Sequence, residues 1–133
     1  MSRMPTLTGV KLAGVLLGAL SLGMATAAFA GSATFAVTTD DNPGGRAGFD
    51  HAGVGARQEF LRVCDSDEDG YRATMQARWS GGSLRLDAIG DGNCRHTGPN
   101  FNIEDGKTVA IKVCLRKGRS GTPKFCSSSR GVA

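Results

Sequence analysis

Four basic side chains close together near the C-terminus are the first candidates for a binding site. They are Arg116, Lys117, Arg119 and Lys124, and they belong to a segment, residues 107–133, that holds seven basic residues and no acidic one. Residues 31–106 hold all 12 acidic residues of the chain against seven basic ones. Such a separation of charge predicts attraction to negatively charged partners, whatever the fold.

The expected partner of this basic segment is an anionic cell-wall polymer or an extracellular protein, including an extracellular enzyme that the chain would inhibit. Nucleic acid is disfavoured, because the chain has one Trp and one Tyr and single strands are usually held by stacking on aromatic side chains. The structural alternative is a solvated hairpin whose charges keep a sheet edge from pairing with another chain.

Trp79, the only tryptophan, is a second candidate binding residue. Its indole could stack against a sugar or a peptide. The alternative is a structural role, in which the ring packs in the core against a disulfide or an opposite sheet. Because Gly81 and Gly82 follow it, its strand is expected to end there, which would expose part of the ring.

A small secreted hydrolase or ribonuclease is the alternative function. It would use His51 and His96, the residues expected to titrate near neutrality, together with Glu59 and Glu104. The sequence contains no Gly-x-Ser-x-Gly and no His-Glu-x-x-His motif, and no cysteine is expected to stay free as a nucleophile. The sequence therefore favours a non-catalytic binding protein and predicts no cofactor.

An acidic run partly matches the start of an EF-hand calcium loop. Asp65, Asp67 and Asp69 occupy the first, third and fifth positions, and Gly70 the sixth. The twelfth position is Gln76, where a bidentate Glu is needed. We therefore interpret the run as a polar hairpin turn in which Gly70 adopts a positive φ. No metal site is predicted, and weak calcium binding is the alternative.

Residues 1–30 have the features of a secretory signal peptide. Arg3 and Lys11 precede an apolar run from Leu12 to Met24, and Ala28-Phe29-Ala30 has the small residues of a cleavage site. The run is too short to span a bilayer, which needs about 20 apolar residues. We expect cleavage to leave a secreted, extracellular protein, residues 31–133, that forms a single domain.

All four cysteines lie after residue 30, so an oxidising compartment would make them a disulfide framework. Zinc is the disfavoured alternative, since no Cys-x-x-Cys is present. Of the three possible pairings we predict Cys64–Cys94 and Cys114–Cys126. Cys114 has the opposite parity to Val109, Ile111 and Val113, so its partner is expected on a neighbouring strand of the same sheet.

Apolar residues that alternate with polar ones predict strands, most clearly over Tyr71–Trp79. Residues 40–57 are predicted to be a loop, with a short strand as the alternative. The pattern as a whole predicts an all-β fold, a small antiparallel β-sandwich of about six to eight strands, with a small barrel as the alternative. The predicted strands are Ala33–Thr39, Phe60–Cys64, Tyr71–Trp79, Leu84–Ala88, Val109–Leu115 and Lys124–Ser128.

Four short motifs resemble small secreted β-sandwich proteins of Gram-positive actinomycetes that contain disulfides. The motifs are Val63-Cys64-Asp65, Asp69-Gly70-Tyr71, the Val109–Leu115 strand and Phe125-Cys126-Ser127-Ser128. The resemblance covers most of residues 31–133. It implies a secreted β-sandwich and no catalytic activity.

Overall fold

The chain folds into two layers of antiparallel sheet. The computed structural model describes residues 31–51, 59–90 and 92–133, in which all regular secondary structure is β-strand. The predicted signal peptide, residues 1–30, lies outside the described residues. The strands are β1 (Thr34–Val37), β2 (Gly45–His51), β3 (Glu59–Asp65), β4 (Tyr71–Trp79), β5 (Gly82–Ile89), β6 (Asn93–His96), β7 (Thr108–Lys117) and β8 (Lys124–Val132).

The eight strands form two sheets of four. The first sheet has the order β1-β2-β3-β6 and the second the order β5-β4-β7-β8. All neighbouring strands are antiparallel, so the predicted all-β class with two antiparallel sheets is confirmed. The core lies between the sheets, and its largest fully buried apolar side chains are Phe49, Leu61, Met75, Ile103, Ile111, Val63, Val109 and Val113.

β4 shows how the sequence pattern produces this arrangement. Successive side chains of a strand point to opposite faces, so a period of two buries one face and leaves the other in water. Ala73, Met75 and Ala77 are all 0% exposed, whereas Gln76 and Arg78 are exposed. The observed bounds of β4 are those predicted.

Two strands are absent from the sequence prediction. β2 lies within residues 40–57, so the loop prediction is wrong there and the alternative of a short strand is correct. Glycine hides β2 from a hydrophobicity pattern, yet it permits close packing: a Cβ at Gly48 would lie 2.8 Å from the Phe35 ring, and one at Gly45 would lie 2.8 Å from Thr38. The other strand, β6, is short, and its side chains are mostly polar.

The acidic run is not a hairpin turn, so that part of the interpretation is wrong. β3 pairs with β2 and β6, whereas β4 pairs with β5 and β7, so the segment between them crosses from one sheet to the other. Asp65 is 1% exposed, and its carboxylate accepts a hydrogen bond of 3.0 Å from the Gly90 amide. Burial raises the pKa of this carboxyl above its ordinary value. Gly70 has the expected positive φ, 77°.

Both disulfides have the predicted pairing. Cys64 and Cys94 lie directly opposite each other on β3 and β6. Cys114 and Cys126 join β7 to β8 across the terminal hairpin, where the strand register shifts between Val113 and Leu115. Each bridge therefore ties neighbouring strands within one sheet.

The two sheets are also joined along one side of the domain. The chain preceding β1 forms an antiparallel bridge with the end of β8, in which the Ser32 amide donates to the Val132 carbonyl oxygen at 2.8 Å. Further along, the Thr39 amide donates to the Phe125 carbonyl oxygen at 3.0 Å. β1 thus bonds to β2 in its own sheet and, through its flanks, to β8 of the other.

Candidate anion-binding site

The outward face of the second sheet carries an excess of positive charge. The register across β5, β4, β7 and β8 places six basic residues on this face and one acid, Asp87. The basic residues are Arg72, Arg78, Arg85, Lys112, Arg116 and Arg130.

Asp87 neutralises one corner of this face. Its carboxylate accepts hydrogen bonds from the Arg85 guanidinium at 3.1 and 3.2 Å, and Arg72 lies 4.0 Å away. Partial burial works against ionisation of Asp87, but the hydrogen bonds from Arg85 and the positive charges of Arg85 and Arg72 outweigh it, so the pKa of this carboxyl lies below its ordinary value. Arg85 and Arg72 are therefore held in place by a carboxylate.

Three other cations on the face have no such partner in the described part of the chain. Arg78, Lys112 and Arg130 are exposed, and none of them belongs to an ion pair among the described residues. We call these three residues the basic triad. Their charges are available to an external anion.

The basic triad surrounds a small residue. Arg78 and Arg130 lie on either side of Ala110 in the register, and Lys112 is the next outward residue on the same strand as Ala110. Neighbouring strands are about 4.8 Å apart and residues rise about 3.3 Å each, so the three Cα atoms are separated by roughly 8–10 Å. The short side chain of Ala110 leaves the middle of this triangle open.

A shallow depression of about 490 Å³ occupies that position. Besides the triad, Gln76 and Ser128 line it, directly opposite Lys112 on its two neighbouring strands. Guanidinium, ammonium, amide and hydroxyl groups all donate hydrogen bonds, and the first two supply charge. This set of groups suits an anionic oxygen cluster such as a phosphate, and it contains no carboxylate to act as a general base.

The hairpin residues predicted from the sequence lie at the far end of β7 and β8. Lys117, Arg119 and Lys124 are exposed. Arg116 is half-buried, and its guanidinium donates to the Arg119 carbonyl oxygen at 3.0 Å. Lys112 precedes Arg116 by four residues on β7, a distance of about 13 Å along the strand. In the register, Arg116 lies on the outward face beyond the Cys114–Cys126 bridge, whereas Lys117 is opposite Tyr71 and Lys124 is opposite the buried Leu115, both on the inward side.

Trp79 lies on the inward face of β4 and packs against the core. Its ring meets Phe101 edge to face, with centroids 5.8 Å apart. A Cβ at Gly82, its partner in the register, would lie 2.7 Å from the indole, so glycine is needed for the ring to lie flat there. The indole is half-buried, and it lies on the opposite face of the sheet from the outward basic residues.

The residues that a hydrolase would use are only partly brought together. Glu59 and His96 line one depression with Arg62. Glu59 is 3% exposed, however, and its carboxylate accepts a hydrogen bond of 2.6 Å from the Ile103 amide. Glu104 is paired instead with Lys107, 3.5 Å away. His51 ends β2, and its side chain lies outside the described residues.

The acidic run that partly matches a calcium loop does not bring its carboxylates together as a metal site in the described part of the chain. Among the described residues, no group of three or more His, Cys, Asp or Glu side chains is arranged to hold a metal ion. Asp69 accepts a hydrogen bond of 2.8 Å from the Tyr71 amide, and Asp67 accepts one of 3.2 Å from the Asn42 side chain. The carboxylates thus bond to the protein's own amides, as side chains in turns commonly do.

Comparison of the chain with protein-family models, with curated proteins and with solved structures gives no match. In the described ranges, no helix has the length and apolarity needed to cross a membrane. Function must therefore be argued from the site itself.

Sequence reasoning missed the basic triad because its members are scattered over residues 78–130. The alternation in β4 and β7 already gave Arg78 and Lys112 the outward parity. What the sequence could not give was the strand order, which places Arg78 and Arg130 on either side of Ala110.

Proposed function

We propose that this chain is a secreted, non-catalytic binding protein of the cell exterior that holds an anionic cell-wall polymer on the outward face of its second sheet. The observation that carries the proposal is the basic triad, three exposed cations around the Ala110 depression that have no carboxylate partner among the described residues. Arg116 lies on the same face, and Lys117, Arg119 and Lys124 add exposed positive charges at the end of the domain.

The geometry favours a polymer of repeating negative charge. The triad offers cations at roughly 8–10 Å spacing, from the strand dimensions given above, and the hairpin offers further ones beyond it. A linear phosphodiester crossing the face would meet the triad first and the hairpin next. Binding of this kind releases counterions from the polymer and weakens as salt rises.

The test is binding of the purified protein to poly(glycerol phosphate), a linear phosphodiester without bases, measured by calorimetry over a range of salt. For comparable linear polyanions, each cation that contacts a phosphate contributes about 0.7 to the slope of log K against log salt. The Arg78→Ser/Arg130→Ser double variant should therefore lower the slope by about 1.4 and weaken binding at low salt.

The matched control is Arg46→Ser/Arg95→Ser. It removes the same charge from exposed positions on the first sheet, so a binding site on the second sheet predicts little change. A fourfold change of Arg116, Lys117, Arg119 and Lys124 to Ser measures the contribution of the hairpin. Equal weakening by the two double variants would show attraction to net charge alone and would contradict the proposal.

A small hydrolase or ribonuclease is the second candidate, because Glu59, Arg62 and His96 line one depression. A carboxylate, a guanidinium and an imidazole are groups that such an enzyme uses. Hydrolysis of RNA or of a peptide by the purified protein, lost in His96→Ala and retained in Arg78→Ser/Arg130→Ser, would favour this candidate over the binding protein.

A further inference from the structure

The Cys64–Cys94 bridge lies on the outward face of the first sheet, beneath an arginine. Both sulfurs are on half-buried residues. The Arg62 side chain, two residues before Cys64 on β3, donates from Nε to Cys64 Sγ at 3.1 Å and from Nη2 to Cys94 Sγ at 3.1 Å. One guanidinium therefore contacts both atoms of the bond that reduction would break.

A positive charge in this position favours the products of disulfide cleavage. Opening the bridge produces a thiolate, and a thiolate is stabilised by a neighbouring Arg. A leaving sulfur whose thiolate is stabilised departs faster. Arg46, directly opposite Cys64 on β2, adds a second positive charge on the same side.

In the second bridge no described side chain donates a hydrogen bond to either sulfur, although Lys112 and Arg116 lie on the same outward face of β7 as Cys114. Cys114 is 6% exposed, whereas Cys126 is half-buried. A thiol in solution has little access to Cys114. The two bridges of one domain thus provide an internal comparison.

The strand order also distinguishes the two sulfurs of the exposed bridge. An attacking thiolate approaches one sulfur from the side opposite the other, along the line of the S–S bond. In the described part of the chain β6 is the edge strand of its sheet, so no strand of that sheet lies beyond Cys94 there, whereas β2 and Arg46 lie beyond Cys64. Cys94 lines two surface depressions, one with Thr97 and Pro99 and one with Ile89, and Cys64 lines one with Arg46 and Arg62.

We infer that Cys64–Cys94 is a thiol-exchange site that reacts with small anionic thiols at Cys94. The external thiolate attacks Cys94 Sγ and forms a mixed disulfide, and the electron pair of the broken S–S bond leaves on Cys64 Sγ as a thiolate beside Arg62. A second thiol can then attack the mixed disulfide, which gives the external disulfide and leaves both cysteines reduced.

The experiment treats the oxidised, folded protein with 2-mercaptoethanesulfonate and, separately, with 2-mercaptoethanol as its neutral analogue. Samples are quenched by alkylation and mapped by mass spectrometry. Cys64–Cys94 should open before Cys114–Cys126 with both thiols, the first adduct should be on Cys94, and the first bridge should open faster with the anionic thiol than with the neutral one.

Variants test the role of Arg62. Arg62→Gln should slow opening of the first bridge about fivefold, since a charge-assisted contact is strong but is here partly screened by solvent. Arg62→Lys should recover part of the rate. Arg95→Gln is the matched control: Arg95 is exposed and adjacent to Cys94, but it forms no hydrogen bond to either sulfur, so the rate should change little.

Three outcomes would overturn the inference. They are equal rates for the two bridges in the folded protein, a first adduct on Cys64, and equal slowing by Arg62→Gln and Arg95→Gln. In urea-unfolded protein the two bridges should open at equal rates. If the first bridge still opens faster there, the folded environment is not the cause of the difference.

Discussion

Reversing the charge of Lys112 should stabilise the fold at low salt. Lys112 lies diagonal to Arg78 and Arg130 in the register, with the neutral side chains of Gln76 and Ser128 directly opposite. All three cations are exposed and lack carboxylate partners among the described residues. Their mutual repulsion therefore lowers the free energy of unfolding, because these charges lie farther apart in the unfolded chain.

The spacing gives the size of this cost. Two unit charges about 9 Å apart in water repel by about 0.5 kcal/mol before screening. At 0.01 M salt the Debye length is about 30 Å, and screening reduces the repulsion to about 0.3 kcal/mol per pair. At 1 M salt the Debye length is about 3 Å, and almost no repulsion remains. Because Lys112→Glu turns two repulsions into two attractions, the free energy of unfolding should rise by about 1.2 kcal/mol at 0.01 M salt.

Urea denaturation at both salt concentrations measures the effect, since urea adds no ions. Lys107→Glu is the control: Lys107 immediately precedes β7 and lies 3.5 Å from Glu104, so the same substitution should lower stability at low salt. The reasoning is refuted if Lys112→Glu is no more stable than the unmodified protein at 0.01 M salt, or if its gain persists at about 1 M.

Two further predictions concern packing and pH. A Cβ at Gly131 would lie 2.5 Å from the Ser32 carbonyl oxygen. Gly131→Ala should therefore break the bridge between β8 and the chain before β1 and lower the free energy of unfolding by about 2 kcal/mol, measured by thermal unfolding. Gly98→Ala is the control: a Cβ there meets open space, so the free energy of unfolding should change by no more than about 0.5 kcal/mol. Folding raises the pKa of Asp65 and lowers that of Asp87. As pH rises through the acid range, Asp65→Asn should therefore become more stable relative to the unmodified protein, and Asp87→Asn should become less stable relative to it. Urea titrations at several pH values measure both trends.

Sequence reasoning was most accurate where one face of a strand is buried. The bounds of β4 and the pairing of β7 with β8 follow from alternation and from the turn residues between them, because burial of one face fixes the parity of every side chain. The pairing of Cys114 with Cys126 followed from the same parity. The strands β6 and β2 gave no such signal, because β6 has four residues, mostly polar, and β2 has two glycines among its seven.

The sequence by itself determined the all-β class, the two disulfides and the outward parity of Arg78 and Lys112. These properties depend on local alternation and on pairs of residues that neighbouring strands bring together. Only the tertiary structure decided that the acidic run crosses between sheets, that Arg62 lies over the Cys64–Cys94 bridge, and that Arg130 joins Arg78 around Ala110. The physical reason is that strand order is set by the packing of two complete sheets, which no local period encodes.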